Sequence, residues 1–233
     1  MGRTSETPRK PRDPTGTGTG AAHLPQGSGR QRASTAGTDV QRERILQAAA
    51  RLFAAQGYAS TTLAQIAREL GVTKPFVYYY FRDKQEIFET LSWRPTVDCF
   101  TALDFADGDP RRASEKVMAG LEGLIRATIA HHPAAFFPYR EPQVYRPEYR
   151  AAVKKLAHHF YGKLCPLLDE ARRDGDLDFN ETTLTALAAC SLPGFLYSWY
   201  RPDGRLSPEQ VAAELTGLAA RVIGLRGRRP RRR

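Results

Sequence analysis

An all-α fold is predicted for this chain, with a small N-terminal three-helix domain of the helix-turn-helix type followed by a larger helical domain. Apolar residues recur at the three- and four-residue spacing of a buried helix face in successive segments between residues 38 and 225. Threonine, serine, glycine and proline stand between these segments, where helices start and stop. Between Thr61 and Lys84 two short segments are separated by only about three residues, which is a helix-turn-helix spacing.

The first helix of this pair carries its apolar residues on one face. These residues are Leu63, Ile66, Ala67 and Leu70. Either Thr61 or Thr62 can cap its start, because a threonine hydroxyl accepts hydrogen bonds from the unpaired N–H groups of a first helical turn. Gly71 follows at the point where a helix end favours a left-handed residue. The chain is therefore expected to stop, turn and restart here.

The second helix is expected to start at Thr73, with Pro75 in its first turn, where the missing N–H costs nothing. The face predicted to pack on the first helix consists of Val77, Tyr80 and Phe81. The opposite face is left for solvent or for DNA and consists of Lys74, Pro75, Tyr78 and Tyr79. A lysine and phenolic hydroxyls can reach phosphates and base edges together. Adjacent tyrosines can also be core and rim aromatics, but the capped turn and the flanking Lys74 and Lys84 favour a DNA-reading face.

From Thr61 onward the chain reads TTLAQIARELGVTKPFVYYYFRDKQEIF. This segment resembles the DNA-binding domain of the TetR family of bacterial regulators, and the resemblance extends over about residues 39 to 90. It implies base-edge contacts from Lys74, Pro75 and Tyr78. It implies phosphate contacts from a second set, which is Thr62, Thr73, Tyr79 and Lys84. Ala64 stands where some family members carry a base-reading arginine, so that contact is missing in this chain.

A third helix is predicted to complete the small domain, residues 38–84, because a helix pair cannot bury its own apolar faces. Thr38 is expected to cap this helix, which runs to about Gln56 and is ended by Gly57. The larger domain, residues 85–225, follows directly.

The larger domain is predicted to be helical throughout. Its first helix opens at Asp83 and Lys84, and is expected to break or kink near Pro95 and to resume toward Phe105, because proline removes a backbone hydrogen bond. A kink is also expected at Pro166. Further helices are predicted at residues 110–131, 147–173, 182–200 and 207–225.

The net charge of +10 is concentrated at the two ends of the chain. Residues 1–37 carry a net charge of +4 and are poor in large apolar side chains, which predicts a disordered basic arm. Residues 224–233 contribute +6, and residues 226–233 are interpreted as a basic, arginine-rich tail. The remainder is close to neutral. Specific DNA binding must therefore come from the helix face rather than from general basicity.

Several classes of site are not expected. The cysteines, Cys99, Cys165 and Cys190, are far apart in the sequence and are interpreted as reduced, buried thiols. Four of the five histidines form two adjacent pairs, His131–His132 and His158–His159, and neighbours on a helix point about 100° apart, so no metal site is expected. No Glu-x-x-His, Gly-rich phosphate loop or nucleophile elbow occurs, so neither an enzyme nor a cofactor is predicted. No membrane span or secretory signal is found, and a cytoplasmic location is expected.

The last two predicted helices carry apolar residues interspersed with small ones, which suits either an internal core or close approach of another helix. The TetR resemblance implies the second, a homodimer in which these helices and their copies form a four-helix bundle. The predicted interface consists of Leu184, Leu187, Leu192, Val211, Leu215, Leu218 and Val222. Two heads about 34 to 36 Å apart would read a palindromic operator in double-stranded DNA. A small-molecule effector that prefers another separation would release it.

The segment from Phe195 to Ala212, FLYSWYRPDGRLSPEQVA, can be read simply as a helix end, a turn and a new helix start. It also resembles a TetR subgroup whose last helices are joined by Trp-Tyr-Arg-Pro-x-Gly and which responds to acyl-CoA thioesters. Under that interpretation an apolar tunnel holds the acyl part, and arginines bind the phosphates. The candidate residues are Phe136, Phe137, Tyr145, Phe160, Tyr161 and Trp199 for the tunnel, and Arg140, Arg146 and Arg201 for the phosphates. The alternative is a DNA-binding activator or architectural protein without a small ligand.

Overall fold

A computed structural model describes residues 35–226, and all regular elements within that range are helical. The predicted all-α fold is therefore confirmed. The α-helices are α1 (Thr35–Ser60), α2 (Leu63–Glu69), α3 (Lys74–Tyr80), α4 (Lys84–Phe100), α5 (Ala113–Ala130), α6 (Phe137–Arg140), α7 (Pro147–Arg173), α8 (Thr182–Ser191), α9 (Leu196–Trp199) and α10 (Pro208–Val222). Short 3-10 turns span Ala134–Phe136, Pro142–Val144 and Leu192–Phe195. None of the helices between residues 35 and 226 is long and apolar enough to cross a membrane.

Both predicted basic ends lie largely outside the described residues, and each predicted boundary needs a correction. Helix α1 begins at Thr35 rather than after Thr38, so the last residues assigned to the arm are helical. Arg226, assigned to the tail, is tied to the folded domain, because its guanidinium donates to Asp178 Oδ2 at 2.7 Å.

The helix-turn-helix forms as predicted and its turns have identifiable causes. Thr62, not Thr61, caps α2: its Oγ1 accepts from the Gln65 N–H at 3.2 Å, and its own N–H donates to Gln65 Oε1 at 2.7 Å. The Thr61 side chain is buried instead and donates to the Gly57 carbonyl at 2.8 Å. Gly71 has a φ of 66°, in the left-handed region, and its N–H bonds to the Arg68 carbonyl at 3.1 Å.

Proline acts differently at three positions. Helix α4 runs uninterrupted through Pro95 but ends at Phe100, so the predicted break and the extension toward Phe105 are both wrong. Around Pro95, the Ser92 and Thr96 hydroxyls donate to carbonyls one turn earlier, at 2.9 and 2.7 Å, and add hydrogen bonds where the proline removes one. Helix α7 is likewise continuous through Pro166. The helix predicted at 182–200 is in contrast divided at Pro193 into α8, a 3-10 turn and α9.

Two hydrophobic cores organise the molecule, and α4 contributes to both. The head core joins α1, α2 and α3 to the first turns of α4, where Phe88 is fully buried. It also contains Phe137, Tyr145 and Tyr149 from the larger domain, so packing is continuous across the predicted boundary at residue 84. The second core lies between α5, α7, α8 and α10.

Replacing Gly71 by alanine should lower the free energy of unfolding by about 1 kcal/mol, because a Cβ is strained at a left-handed φ. The control is Gly162→Ala in the interior of α7, where an added Cβ meets nothing within 4 Å. At residue 162 the change to alanine should raise the free energy of unfolding by about 0.5 to 1 kcal/mol, since alanine is the better helix former. Urea denaturation at one fixed protein concentration measures both variants. Equal effects would contradict the assigned role of the Gly71 turn.

Candidate DNA-binding surface and ligand cavity

Helix α3 divides its side chains as the sequence predicts. Val77 and Phe81 are buried against the head core, and Tyr80 is partly buried. On the other side Tyr78 and Tyr79 are exposed by 48% and 73%, and Lys74, Pro75 and Thr73 are also exposed. The Lys74 ammonium lies 5.6 Å from the centre of the Tyr78 ring. A cation and a phenol therefore stand together on the solvent side of a helix whose other side is fixed by packing.

Lys84 is placed differently from the phosphate-binding role that the resemblance implies. Its ammonium donates to the carbonyls of Tyr58 and Thr61 at 2.6 and 2.7 Å, and lies 4.0 Å from the centre of the Tyr58 ring. Partial burial lowers the pKa of this ammonium, although Glu141 opposes the shift. Two of its three N–H groups are thus used inside the head. Its principal structural role is to hold the start of α4 on the end of α1.

A cavity of about 500 Å³ lies between α4, α5 and α7 and is closed on one side by the segment around α6. Its wall is largely apolar and rich in tyrosine. The lining residues are Pro95, Thr96, Cys99, Phe100, Leu124, Thr128, Ala135, Pro138, Tyr139, Pro142, Tyr145, Tyr149, Arg150, Val153, Lys154, Tyr161, Cys190 and Pro193. This size and character suit a small organic ligand.

Several polar groups of the cavity wall are paired within the protein. The Tyr145 hydroxyl lies 2.7 Å from Ser92 Oγ, and the Tyr149 hydroxyl lies 3.3 Å from Thr96 Oγ1. Burial raises the pKa of the Cys190 thiol to about 12, although a hydrogen bond with Tyr161 opposes the shift. Cys190 is therefore a protonated, weakly reactive thiol at neutral pH. The wall is suited to binding rather than to covalent chemistry.

The structure brings only two of the predicted ligand residues to this cavity, Tyr145 and Tyr161. Phe136, Phe137 and Phe160 are fully buried in the two cores, because they fill space between helices. Trp199 is exposed by 55%, on the far side of the break at Pro193. These placements overturn most of the predicted tunnel.

The predicted phosphate-binding arginines are also absent from the cavity. Arg140 donates to the Tyr197 carbonyl at 3.3 Å, and Arg201 is an exposed residue 3.7 Å from Asp203. Arg146 is held by two carboxylates, at 2.7 Å to Asp83 and 2.6 Å to Glu89. None of the three lines the cavity. The sequence could not reveal the positions of Arg140 and Arg146, because their partners are 57 or more residues away in the chain.

Two cations at the cavity were missed by the sequence interpretation. Arg150 and Lys154 line it from α7, are exposed, and stand four residues apart on one side of the helix. Among residues 35–226 neither has an ion pair or a side-chain hydrogen bond. Both are one helical turn or less from Val153, which also lines the cavity, and this spacing could have indicated from the sequence that they lie on the same side of the helix. They give one edge of an apolar cavity a positive charge.

An exposed apolar patch covers the outer sides of α8, α9 and α10 and the turn between them. Its members are Leu184, Leu187, Phe195, Trp199, Leu218 and Val222. Four of these belong to the predicted dimer interface. Val211 and Leu215 were also predicted to lie in the interface, but both are buried in the second core of the same chain, which corrects the prediction for these two residues. Leu192 packs against that core and is partly exposed, so its place in the interface stays a prediction.

Two family models match the chain. The model described as "Bacterial regulatory proteins, tetR family" matches residues 45–91, which contain α2, α3 and the adjoining parts of α1 and α4. The model described as "Tetracyclin repressor-like, C-terminal domain" matches residues 110–223, which contain α5 to α10. The two matches follow the two cores of the structure.

Individual proteins agree with these models. The HTH-type transcriptional regulator HbdR of Aromatoleum sp. (strain CIB) is 29% identical in an alignment of 166 residues that covers 68% of this chain and 61% of HbdR. The chain thus spans less than two thirds of that curated relative. Among solved structures, the TetR family transcriptional regulator PfmR of Thermus thermophilus has a TM-score of 0.66 at 26% identity, covering 76% of this chain and 97% of PfmR.

A likeness of fold alone connects the chain to a structure of AibR in complex with isovaleryl coenzyme A and operator DNA. Its TM-score is 0.63 at 22% identity, covering 76% of this chain and 97% of AibR. The helix-turn-helix geometry and the two family models together identify the molecule. The chain belongs to the TetR family of bacterial regulatory proteins, and the relative HbdR is named a transcriptional regulator.

Proposed function

We propose that this protein is a cytoplasmic repressor that binds a palindromic operator as a homodimer and leaves it when a small effector occupies the cavity. The observation that carries the proposal is the position of α4, whose first turns are packed in the head core and whose last turns line the cavity. A ligand between α4 and α7 acts directly on the helix that holds the head. The effector thereby changes the separation of two heads.

The operator contacts are assigned to the exposed side of α3. Lys74, Pro75 and Tyr78 read base edges, and Tyr79 binds phosphate together with Thr62 and Thr73. All six side chains are exposed, which supports this assignment. Lys84 adds a phosphate contact only through the single N–H that its two carbonyl partners leave available.

Removing the hydroxyl of Tyr78 tests the reading face. Tyr78→Phe should weaken binding to a duplex selected by the wild-type protein from a random library by about 1 to 3 kcal/mol, since one base or phosphate contact is lost. Tyr200→Phe makes the same chemical change at a buried site in the larger domain and serves as the control. Fluorescence anisotropy measures both. Equal affinities for wild type and Tyr78→Phe would assign this tyrosine to the helix surface alone.

Dimerisation is assigned to the apolar patch. Helices α8 and α10 pack on each other, and both present leucine or valine to solvent, with Leu184 exposed by 67% and Phe195 by 66%. Large exposed apolar patches mark interaction surfaces. A second copy that applies the same patch would bury both at once, as two-fold symmetry requires.

A charge placed in the patch should prevent assembly. Leu187→Glu is expected to give a monomer at micromolar concentration, because an unpaired carboxylate would be buried in the interface. Val40→Glu, at a similarly exposed apolar residue on α1, is the control and should stay dimeric. Sedimentation velocity reports the mass, and the monomer should also lose operator binding. A dimeric Leu187→Glu variant would place the interface elsewhere.

The effector class is assigned to acyl-CoA thioesters. An apolar cavity of about 500 Å³ accommodates an acyl group and part of the attached chain, but not the nucleotide. Arg150 and Lys154 at its edge provide the charge to bind phosphates that remain outside. AibR, which shares the fold, was solved with isovaleryl coenzyme A. Tyr145 and Tyr161 are the predicted ligand residues retained in this assignment.

Calorimetric titration with a panel of acyl-CoA thioesters and their free acids tests this class. Thioesters should bind, and Arg150→Gln with Lys154→Met should weaken them at least tenfold without changing the binding of a free acid. Lys155→Met removes an exposed neighbouring charge that does not line the cavity and is the matched control. Absence of heat with every thioester would rule out the class. If cell metabolites also leave the operator affinity unchanged, the protein would instead be a ligand-independent regulator.

A further inference from the structure

A second connection between the cavity and the head passes outside α4, through the segment that precedes α7. Arg146 is the last residue before that helix, and its side chain is only 20% exposed. One guanidinium nitrogen donates to both carboxylate oxygens of Asp83, at 2.8 and 2.7 Å. The other donates to Glu89 at 2.6 Å, and so does the backbone N–H of Arg146. One cation thus holds two carboxylates of α4 and its cap in fixed positions.

Asp83 connects this cluster to the DNA-reading helix. It is the N-cap of α4, where its Oδ1 accepts from the Glu86 N–H at 2.8 Å, and only two residues separate it from the end of α3. Burial raises the pKa of Asp83, but the Glu86 N–H and Arg146 outweigh it and leave the pKa below its ordinary value. Asp83 is therefore charged at neutral pH. A displacement of Arg146 must either move the α3–α4 junction or break a charge-assisted bidentate pair.

The same segment forms part of the cavity wall. Tyr145 and Tyr149, on either side of Arg146, both line the cavity, and their rings are stacked with centres 4.5 Å apart. Their hydroxyls reach Ser92 and Thr96 of α4. Val144 is the residue before Tyr145, and its carbonyl accepts a hydrogen bond from the Gln85 side chain of α4. An occupant that pushes on the tyrosine pair therefore pushes on Arg146.

We infer that Arg146 is a positioning residue through which occupancy of the cavity changes the orientation of the head. Through Asp83 and Glu89 it holds the α3–α4 junction in the observed geometry, and displacement of the tyrosine pair releases that hold. The inference rests on the proposed control of DNA binding by the cavity. It adds a coupling residue that touches neither the effector nor the DNA.

Cavity-filling substitutions supply the test without an identified effector. Thr128→Trp on α5 and Cys190→Trp on α8 each place an indole in the cavity from a helix that does not contain Arg146. The readout is affinity for a duplex selected by the wild-type protein from a random library. In the wild-type background, at least one filled variant that retains its helical circular dichroism should bind about tenfold more weakly. In the Arg146→Gln background the same filling should change affinity less than threefold.

Two further variants separate coupling from a merely structural role. Arg146→Lys keeps a charge near the carboxylates and should restore part of the response to filling. Arg112→Gln breaks another ion pair between distant segments, 2.9 Å from Asp176, and should leave the response unchanged.

The outcomes distinguish this inference from the function on which it rests. Equal losses on filling in the wild-type and Arg146→Gln backgrounds would overturn the role of Arg146 and leave the cavity as the control site. No loss in either background, with both indoles accommodated, would contradict control by the cavity and the coupling residue together. A reduced response in Arg112→Gln as well would show a general loss of rigidity and would also overturn the specific role.

Discussion

The structure depends on the sharing of α4 between two cores. Near its start, Phe88 is stacked on Phe137 of the larger domain at 4.9 Å, and Phe53 of α1 meets the same two rings edge-on. These aromatic contacts pack the head directly against the larger domain. Close-packed interiors transmit displacement rather than absorb it. The cavity beside the second half of this helix is therefore connected to the helix-turn-helix through one packed element.

Much of the fold could be predicted from the sequence, because its local signals are strong. Gly71 takes the left-handed φ that its position indicated, and α7 begins at Pro147 and ends at Arg173 as predicted. Prolines inside helices were harder to interpret. Pro95 and Pro166 are accommodated in continuous helices, whereas Pro193 divides one. The free-energy cost of a proline inside a helix depends on the hydrogen bonds and packing around it, such as those of Ser92 and Thr96 near Pro95, and these become visible only in the structure.

The candidate site was only partly predictable, for a related reason. Exposure on α3 follows from helical periodicity, so Lys74 and Tyr78 could be placed from sequence. The roles of Arg146 and Lys84 depend on partners up to 63 residues away in the chain. Both were predicted to bind phosphates. In the structure Lys84 bonds to backbone carbonyls and Arg146 bonds to two carboxylates of the same chain. The cations at the cavity, Arg150 and Lys154, became recognisable only when the helices around the cavity were placed.

The position of Lys84 also has a consequence for the order in which the chain folds. Its ammonium donates hydrogen bonds to carbonyls at the end of α1. The last carbonyls of a helix usually bond to water or to groups close by in the sequence. The donor comes from 26 residues downstream of Tyr58, so this helix end is completed only after α4 has docked. During synthesis the N-terminal helices would emerge first but mature late. The helix-turn-helix unit therefore reaches its final form only after the start of α4 has packed on the end of α1.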